Sequence, residues 1–287
     1  MKETRIYLLM LAPAVVALAV VVVLPLTALG YISLLDWELR KPGWSFTGAS
    51  NYLRMFGDRD LAHSMRVTAW FVGGAITLQV LLGIVLAEIL VALRRTQTLV
   101  RTLILLPMVI PPLVAGIIWR ILLEPNAGLV NHFFSFVGLR HAWLADPNTA
   151  LGAVIVTDVW QWTPLILLLL LARYAVIPTS IYDAAAVDGA TGWSRFFYIT
   201  LPLVRPVLIS AVVLRMIDAI REFAKIFIMT GGGPGVATET LNMYVYRIGF
   251  IYGNLGYAAA LGVLMFLIVL TLTLALTQLQ KVFEVLS

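Results

Sequence analysis

Apolar residues in this chain gather into six long stretches, at 6–34, 67–93, 99–123, 151–174, 203–229 and 256–279. Each reaches the roughly 20 residues that a helix needs to cross about 30 Å of hydrocarbon. The stretches are continuous and do not alternate, so they predict helices in place of the ten-residue strands of a barrel. Between them lie a loop at 36–66, a short connection at 94–98 with Arg94, Arg95 and Thr96, a loop at 124–150, a polar stretch at 175–202 and a glycine-rich loop at 230–255. The pattern predicts an all-α membrane protein of six spans with both termini on one side. The first stretch follows Met1-Lys2-Glu3-Thr4-Arg5 and begins like a signal peptide, but it is too long and lacks a small-residue cleavage site, so it reads as a retained span. In the third stretch Pro107, Pro111 and Pro112 remove helical donors and predict a kink or break. That disturbance fits either an inner, gating helix or a simple packing kink.

Composition removes the soluble alternative. Of 287 residues, 61% are hydrophobic and only 12% charged, against about 45–50% and about a quarter in soluble domains. Cysteine is absent, which excludes disulfides, thiolate metal sites and cysteine nucleophiles. The formal charge is +5, yet its basic residues are scattered between spans and form no stripe for nucleic acid. Basic loops at a membrane surface account for them. Counting basic residues on the two sides gives nearly equal sets, so charge alone leaves the orientation open.

Two polar features interrupt the hydrophobic pattern. The first is a charged stripe in the fifth stretch, formed by Arg215, Asp218, Arg221, Glu222 and Lys225. On a continuous helix of 100° per residue these five fall within an arc of about 120°. Charge at membrane depth costs about 2.5–3.5 kcal/mol per residue at a helix centre, so this face is expected to line water or to form ion pairs between helices, with Lys225 able to snorkel. The second feature is residues 178–199. Ser180 and Asp183 have the spacing of a shortened capping box, Ala184, Ala185 and Ala186 favour helix, and Gly189 suits its end. Thr191 is placed to cap a second turn that carries Trp193, Phe196, Phe197 and Tyr198. These aromatics suit either the headgroup region or a protein partner.

The run Asp183-Ala-Ala-Ala-Val-Asp-Gly-Ala190, with Ile199, Leu201 and Pro202 after it, resembles the EAA loop of bacterial ABC-importer permeases, with Asp183 where that family usually has Glu. Further resemblance to carbohydrate-importer permeases lies in Leu106-Pro107, Pro111, Trp119-Arg120, Gly128 and Asn131; in Asp158-Val159-Trp160, Pro164 and Ile177-Pro178; and in Thr230-Gly-Gly-Gly-Pro234 with Tyr246-Arg247-Ile248-Gly249-Phe250. These motifs keep the family's order across most of residues 100–255.

The resemblance implies a type I ABC importer permease of six transmembrane helices in the inner membrane, with cytoplasmic termini and a cytoplasmic coupling helix. Residues 1–66 would be a first helix with its outer loop, and 67–287 a five-helix core with the EAA loop at about 175–202. The partners implied are a second homologous permease, two ATP-binding subunits holding ATP and magnesium, an external binding protein and membrane lipid. This chain has no phosphate-binding glycine loop and no cofactor of its own is implied. Tyr182, Asp183, Ala184, Ala185, Asp188, Gly189, Ala190, Trp193, Phe196 and Phe197 would meet the ATPase. Gln161, Trp162 and Leu165 of the fourth span, and Arg215, Ala219 and Glu222 of the fifth, align with sugar-contacting positions, and Asp218 shares their charged face. Such residues suit a sugar or sugar alcohol; the two arginines keep glycerol phosphate as an alternative, and the charged span keeps an ion-coupled secondary transporter. Gln79 and Glu88 read as structural, and His63, His132 and His141 lack metal-ligand spacing. No catalytic or metal constellation is present in the sequence.

Overall fold

A computed structural model describes residues 2–93, 97–136, 138 and 140–286 of the chain. Arg94, Arg95 and Thr96 of the short connection lie outside the described residues. The chain divides into two units, Met1–His63 with Tyr244–Ile268, and Ser64–Met243 with Val269–Ser287.

In the first unit α1 (Lys2–Ile32) supplies a span at Met10–Ile32 in whose apolar window no residue is buried. A two-residue antiparallel pair follows, Leu35–Asp36 against Ser45–Phe46. The short α2 (Ser50–Met55) is tied back by Asn51, whose amide donates to the carbonyls of Ser33 and Leu35 at 2.9 Å each. Helix α3 (Arg59–Ala92) starts earlier than the hydrophobic pattern predicts, so the outer loop expected to reach residue 66 ends at Asp58. Its cause is a cap: Asp58 Oδ1 accepts the Leu61 N–H at 3.0 Å, satisfying a donor that a helix start leaves free. The other oxygen, Oδ2, accepts the hydroxyls of Tyr244 at 2.6 Å and Tyr257 at 2.5 Å.

The second unit is built around α7 (Ala150–Val176). Of its apolar window 61% is buried, against 28% for α3, as expected for a helix that is hydrophobic all round. The third span is broken. Helices α4 (Gln97–Val109) and α5 (Pro112–Leu122) meet at 101°, because Pro111 and Pro112 offer no N–H to continue the ladder. The loop after α5 holds α6 (Leu129–Ser135). Beyond α7 come α8 (Thr179–Val187), α9 (Gly192–Arg195) and a π-helical turn at Phe196–Thr200 that runs directly into α10 (Leu201–Ile220). The apolar helix thus begins at Gly192, ahead of the return to the bilayer expected at Leu201-Pro202. A π turn accommodates Pro202, whose missing N–H falls where the regular ladder is already interrupted. The capping expected of Ser180 is not formed: Pro178, with extended backbone, precedes α8 and no side chain caps it.

The fifth span is not the single helix that the sequence suggested. It breaks at Arg221-Glu222-Phe223, after which α11 (Ala224–Met229) resumes. Helices α12 (Leu241–Tyr246) and α13 (Leu255–Leu286) complete the chain, joined by a second π turn at Arg247–Ile251. The unit has two apolar cores. One joins Ala87, Leu90, Ile166, Leu167, Leu170, Val204 and Leu208; the other joins Phe71, Val154, Ala219, Ile226 and Met243. Between them along α3, α7 and α10 lie Gln79, Asp158 and Arg215, all buried.

Asp58 supplies a test of the first unit. Burial raises its carboxyl, but the hydroxyls of Tyr244 and Tyr257 and the N–H groups of Leu61 and Asp60 outweigh that and hold it below its ordinary 3.8. A lowered folded-state value means that this stabilisation is complete at neutral pH and is lost as pH falls below about 4. Asp58→Asn is expected to cost about 1.5–3 kcal/mol, the range for hydrogen bonds to a charged group, and to remove this acid dependence. Thermal melting in detergent at pH 7 and pH 4 measures both effects.

Candidate functional site

Asp158, one turn and more inside α7, is completely buried, and burial of a lone carboxylate would be prohibitive. It is held by two cations from the fifth span. Arg215 Nη2 lies 2.9 Å from Oδ2, and Lys225 Nζ lies 2.7 Å from Oδ1 in an ion contact away from the hydrogen-bond direction. Gln79 of α3 donates to Asp158 Oδ2 at 2.8 Å and accepts from Arg215 Nε at 3.0 Å. Lys225 also reaches Glu222 Oε2 at 2.8 Å and Gln161 Oε1 at 2.9 Å. Arg215 is 1% exposed, and Lys225 and Gln161 are fully buried. Two cations and two carboxylates leave this cluster neutral, which is what makes it tolerable between apolar cores.

The sequence suggested one face of five charges along water. The structure divides that face: Arg215 and Lys225 turn inward to Asp158, while the Asp218 side chain is 54% exposed and Arg221 is exposed. The break at 221–223 ends the 100° progression and frees Lys225 from the stripe, while Arg215 and Asp218, both on α10, are parted by the roughly 60° between positions three residues apart. Glu222 sits in that break and accepts the Lys225 N–H at 3.0 Å, serving the start of α11.

Beside the buried cluster opens a depression of about 370 Å³ lined by Trp162, Arg215, Asp218, Arg221 and Glu222, with Pro112 and Phe223 at its edges. Of the seven residues expected to contact substrate, it brings together Trp162, Arg215, Asp218 and Glu222. Gln161, Leu165 and Ala219 do not line it. The Arg215 guanidinium lies over the Trp162 ring, 4.8 Å from its centroid, a cation–π arrangement that occupies one ring face. Asp158, Lys225 and Gln79 were not singled out as site residues. The available signal was an intramembrane carboxylate in the fourth span opposite two cations in the fifth.

The residues expected at the ATPase lie on α8 and the turns after it. Asp183, Ala184, Asp188 and Gly189 are exposed, Tyr182 and Ala190 are half-buried, and Ala185 is buried. Gly189 has φ +76° and lets Ala190 N–H reach the Ala185 carbonyl at 2.9 Å, a six-residue closure of the helix end. Trp193 and Phe197 stack with centroids 5.8 Å apart and are exposed. Together with Phe196 they border an apolar groove whose other wall is Leu81, Ile84, Val85 and Ile89 of α3.

Residues 79–284 match the family model described as the binding-protein-dependent transport system inner membrane component. The chain belongs to this family of permeases. The trehalose/maltose transport system permease protein of Thermococcus litoralis is 35% identical over 95% of this chain and 92% of its own length. The sulfoquinovosyl glycerol transport system permease protein of Agrobacterium fabrum is 35% identical over 92% and 87%. Among solved structures, a bacterial ABC transporter that imports the acidic polysaccharide alginate shares the fold, with a TM-score of 0.85 at 22% identity over 98% of this chain and 96% of that one. The permease is thus a multi-pass inner-membrane subunit of an ATP-driven importer with the type I fold, and ATP is hydrolysed on a separate subunit. Membership sets aside the ion-coupled alternative.

The buried cluster makes a direct prediction. Asp158→Ala leaves Lys225 with Glu222, and Arg215 with only the exposed Asp218 at 3.8 Å, and is expected to destabilise the permease by about 3–5 kcal/mol, the cost of unpairing buried charge. Folded yield in detergent, measured by size exclusion, should fall steeply; a wild-type yield would mean that the cations find water in place of Asp158.

Proposed function

We propose that this permease carries a neutral sugar or sugar alcohol, handed over by an external binding protein, through a path formed with a second homologous permease. The observation that carries the reading is the depression at the fifth-span break, where the Trp162 ring, two guanidinium groups and two carboxylates converge on one open volume. That combination offers a stacking surface with donors and acceptors for hydroxyl groups. The relatives, permeases of trehalose/maltose and sulfoquinovosyl glycerol transport systems, support a polyhydroxylated substrate. Trp162, Asp218, Arg221 and Glu222 face the substrate in this reading, with Arg215 fixed at the rear by Asp158. One observation favours a second reading: Arg221 lines the depression and forms no ion pair among the described residues, which suits a phosphorylated or otherwise anionic sugar.

The two permeases seat on two ATP-binding subunits that hold ATP with magnesium. Helix α8 and the turn through Ala190 are the coupling element, on the cytoplasmic side with both termini. Support comes from its surface: Val187 is 87% exposed beside exposed Asp183 and Asp188, an apolar patch with acidic neighbours on a short helix. Trp193, Phe196 and Phe197 flank that element. ATP binding closes the ATPase pair and α8 transmits the displacement to the spans, which alternate access to the depression.

Two measurements test these assignments. Glu222→Gln keeps shape and an acceptor, and Lys225 retains Asp158, so the complex should assemble while sugar affinity shifts by roughly tenfold, the order of one hydrogen bond to a charged group. Loss of assembly with unchanged selectivity among several sugars would remove Glu222 from the path, and loss of uptake confined to anionic sugars in Arg221→Gln would favour the second reading. At the coupling element, Gly189→Val forces a β-branched residue into a left-handed conformation, at a cost of at least about 1–2 kcal/mol. Beyond its two chain neighbours nothing lies within 4 Å of the new Cβ, so the strain is local. The variant should insert normally yet co-purify poorly with its ATPase, and wild-type uptake would overturn the assignment.

A further inference from the structure

Both helix breaks of the second unit end on the same two side chains. At the third-span break the Ile110 carbonyl, next to Pro111 and Pro112, accepts from Gln161 Nε2 at 2.7 Å. The other end of that amide, Oε1, accepts from Lys225 Nζ at 2.9 Å, and Lys225 stands in the first turn after the fifth-span break. The Lys225 ammonium donates to Gln161 and lies within ion-pair distance of Glu222 and Asp158. A chain of contacts therefore runs from one break to the other through α7, with Gln161 and Lys225 fully buried.

The helices beyond the two breaks form a pair of their own. A Cβ on Gly116 of α5 would lie 2.3 Å from Ile228 Cγ2 and 3.3 Å from Lys225 Cα of α11, so the two helices touch where no side chain fits. Arg120 of α5 closes the far end of α11 through a 2.9 Å hydrogen bond from Nη1 to the Ile228 carbonyl. Each helix joins the rest of its span only through a break, at Ile110-Pro111 and at Arg221–Phe223. Such segments are where a packed element turns as a body.

We propose that α5 and α11 move as one hinged pair and that Gln161, Asp158 and Lys225 latch the pair to α7. Gln161 is then a positioning residue, bound to both hinges and not to substrate. The latch needs no ligand atom to be satisfied, and the depression lies on its open side, lined by Pro112 at one hinge and by Arg221 and Glu222 at the other. With the latch closed, the substrate-facing residues and the two breaks keep one relative pose. With it open, the pair turns without regard to whether the depression is filled.

The inference rests on membership of the transport family and is independent of which substrate is carried. Its test uses the complete importer in lipid, with ATP hydrolysis measured with and without substrate, and transport measured per ATP. Gln161→Met removes both amide bonds, keeps the side-chain length and leaves Lys225 with two carboxylates. It is expected to assemble as the wild type does and to raise substrate-independent ATP hydrolysis by about fivefold or more, the lower end of ordinary coupling free energies, with transport per ATP falling in proportion. The double variant Asp158→Asn with Lys225→Gln removes one charge of each sign, preserves neutrality, and should uncouple in the same way. Wild-type transport per ATP in an assembled Gln161→Met complex would overturn the latch. Failure of both variants to assemble would also overturn it, since the contacts would then serve folding alone. A wild type that imports no sugar defeats only the substrate reading, because ATP turnover in the variants still reports on the latch.

Discussion

Buried charge in a membrane protein has few solutions, and Asp158 exemplifies one of them. A carboxylate on the most enclosed helix of the second unit is tolerable only with cations and donors at contact distance. Arg215, Lys225 and Gln79 meet that demand from α10, α11 and α3. Three helices are thereby fixed against α7 in register, because moving α10 or α11 by a turn would strand a charge and moving α3 would take away the amide that Asp158 and Arg215 share. Apolar packing on either side carries most of the favourable energy, but packing alone is forgiving of slippage. The ion cluster is not.

The same cluster explains why the broken spans are stable. A helix interrupted at membrane depth exposes carbonyl and amide groups that water cannot reach, and lipid-facing breaks are excluded on that account. Here the exposed groups are met by protein: Gln161 serves the Ile110 carbonyl, Glu222 serves the Lys225 amide, and Arg120 serves the Ile228 carbonyl. Polar side chains that the membrane makes costly become the partners that irregular backbone requires. An open depression at the break gives the irregularity a use, since side chains project there that a regular helix would have kept on its outer faces.

At the other polar element the physics differs. Residues 178–190 contain little that burial demands, and α8 leaves its acidic and apolar side chains unpaired at the surface. Gly189 closes the helix by taking a left-handed conformation that other residues resist. A short, self-closed helix with an uncommitted face suits a transmitted push, because it holds its shape without the partner. The proposed coupling helix and the proposed substrate depression are thus built as two kinds of structure, one closed by local capping and one held by long-range ion pairing.

Hydropathy and composition settled the membrane location, the helical class and the approximate spans, because transfer of apolar side chains is a local property summed along the chain. Pro111-Pro112 marked the third-span break for the same reason: a missing donor is written in the residue itself. The run at 183–190 marked a short helix, and its terminal glycine was identifiable from residue type. The fifth-span break was not foreseen, since Arg221, Glu222 and Phe223 have no intrinsic aversion to helix, and Glu222 closes on Lys225 only because Asp158 draws that lysine inward. The extent of α3 depended on Asp58, whose cap is local but whose two tyrosine partners come from residues nearly two hundred positions away. Gln161 and Asp158 acquire their meaning from partners 51 to 79 residues distant. Sequence therefore determined what each segment must avoid, namely water for the apolar runs and helix continuation for the prolines. Which charge meets which was decided only by the packing of helices, because an ion pair is a relation across space, set by helix faces and crossing points that no single segment encodes.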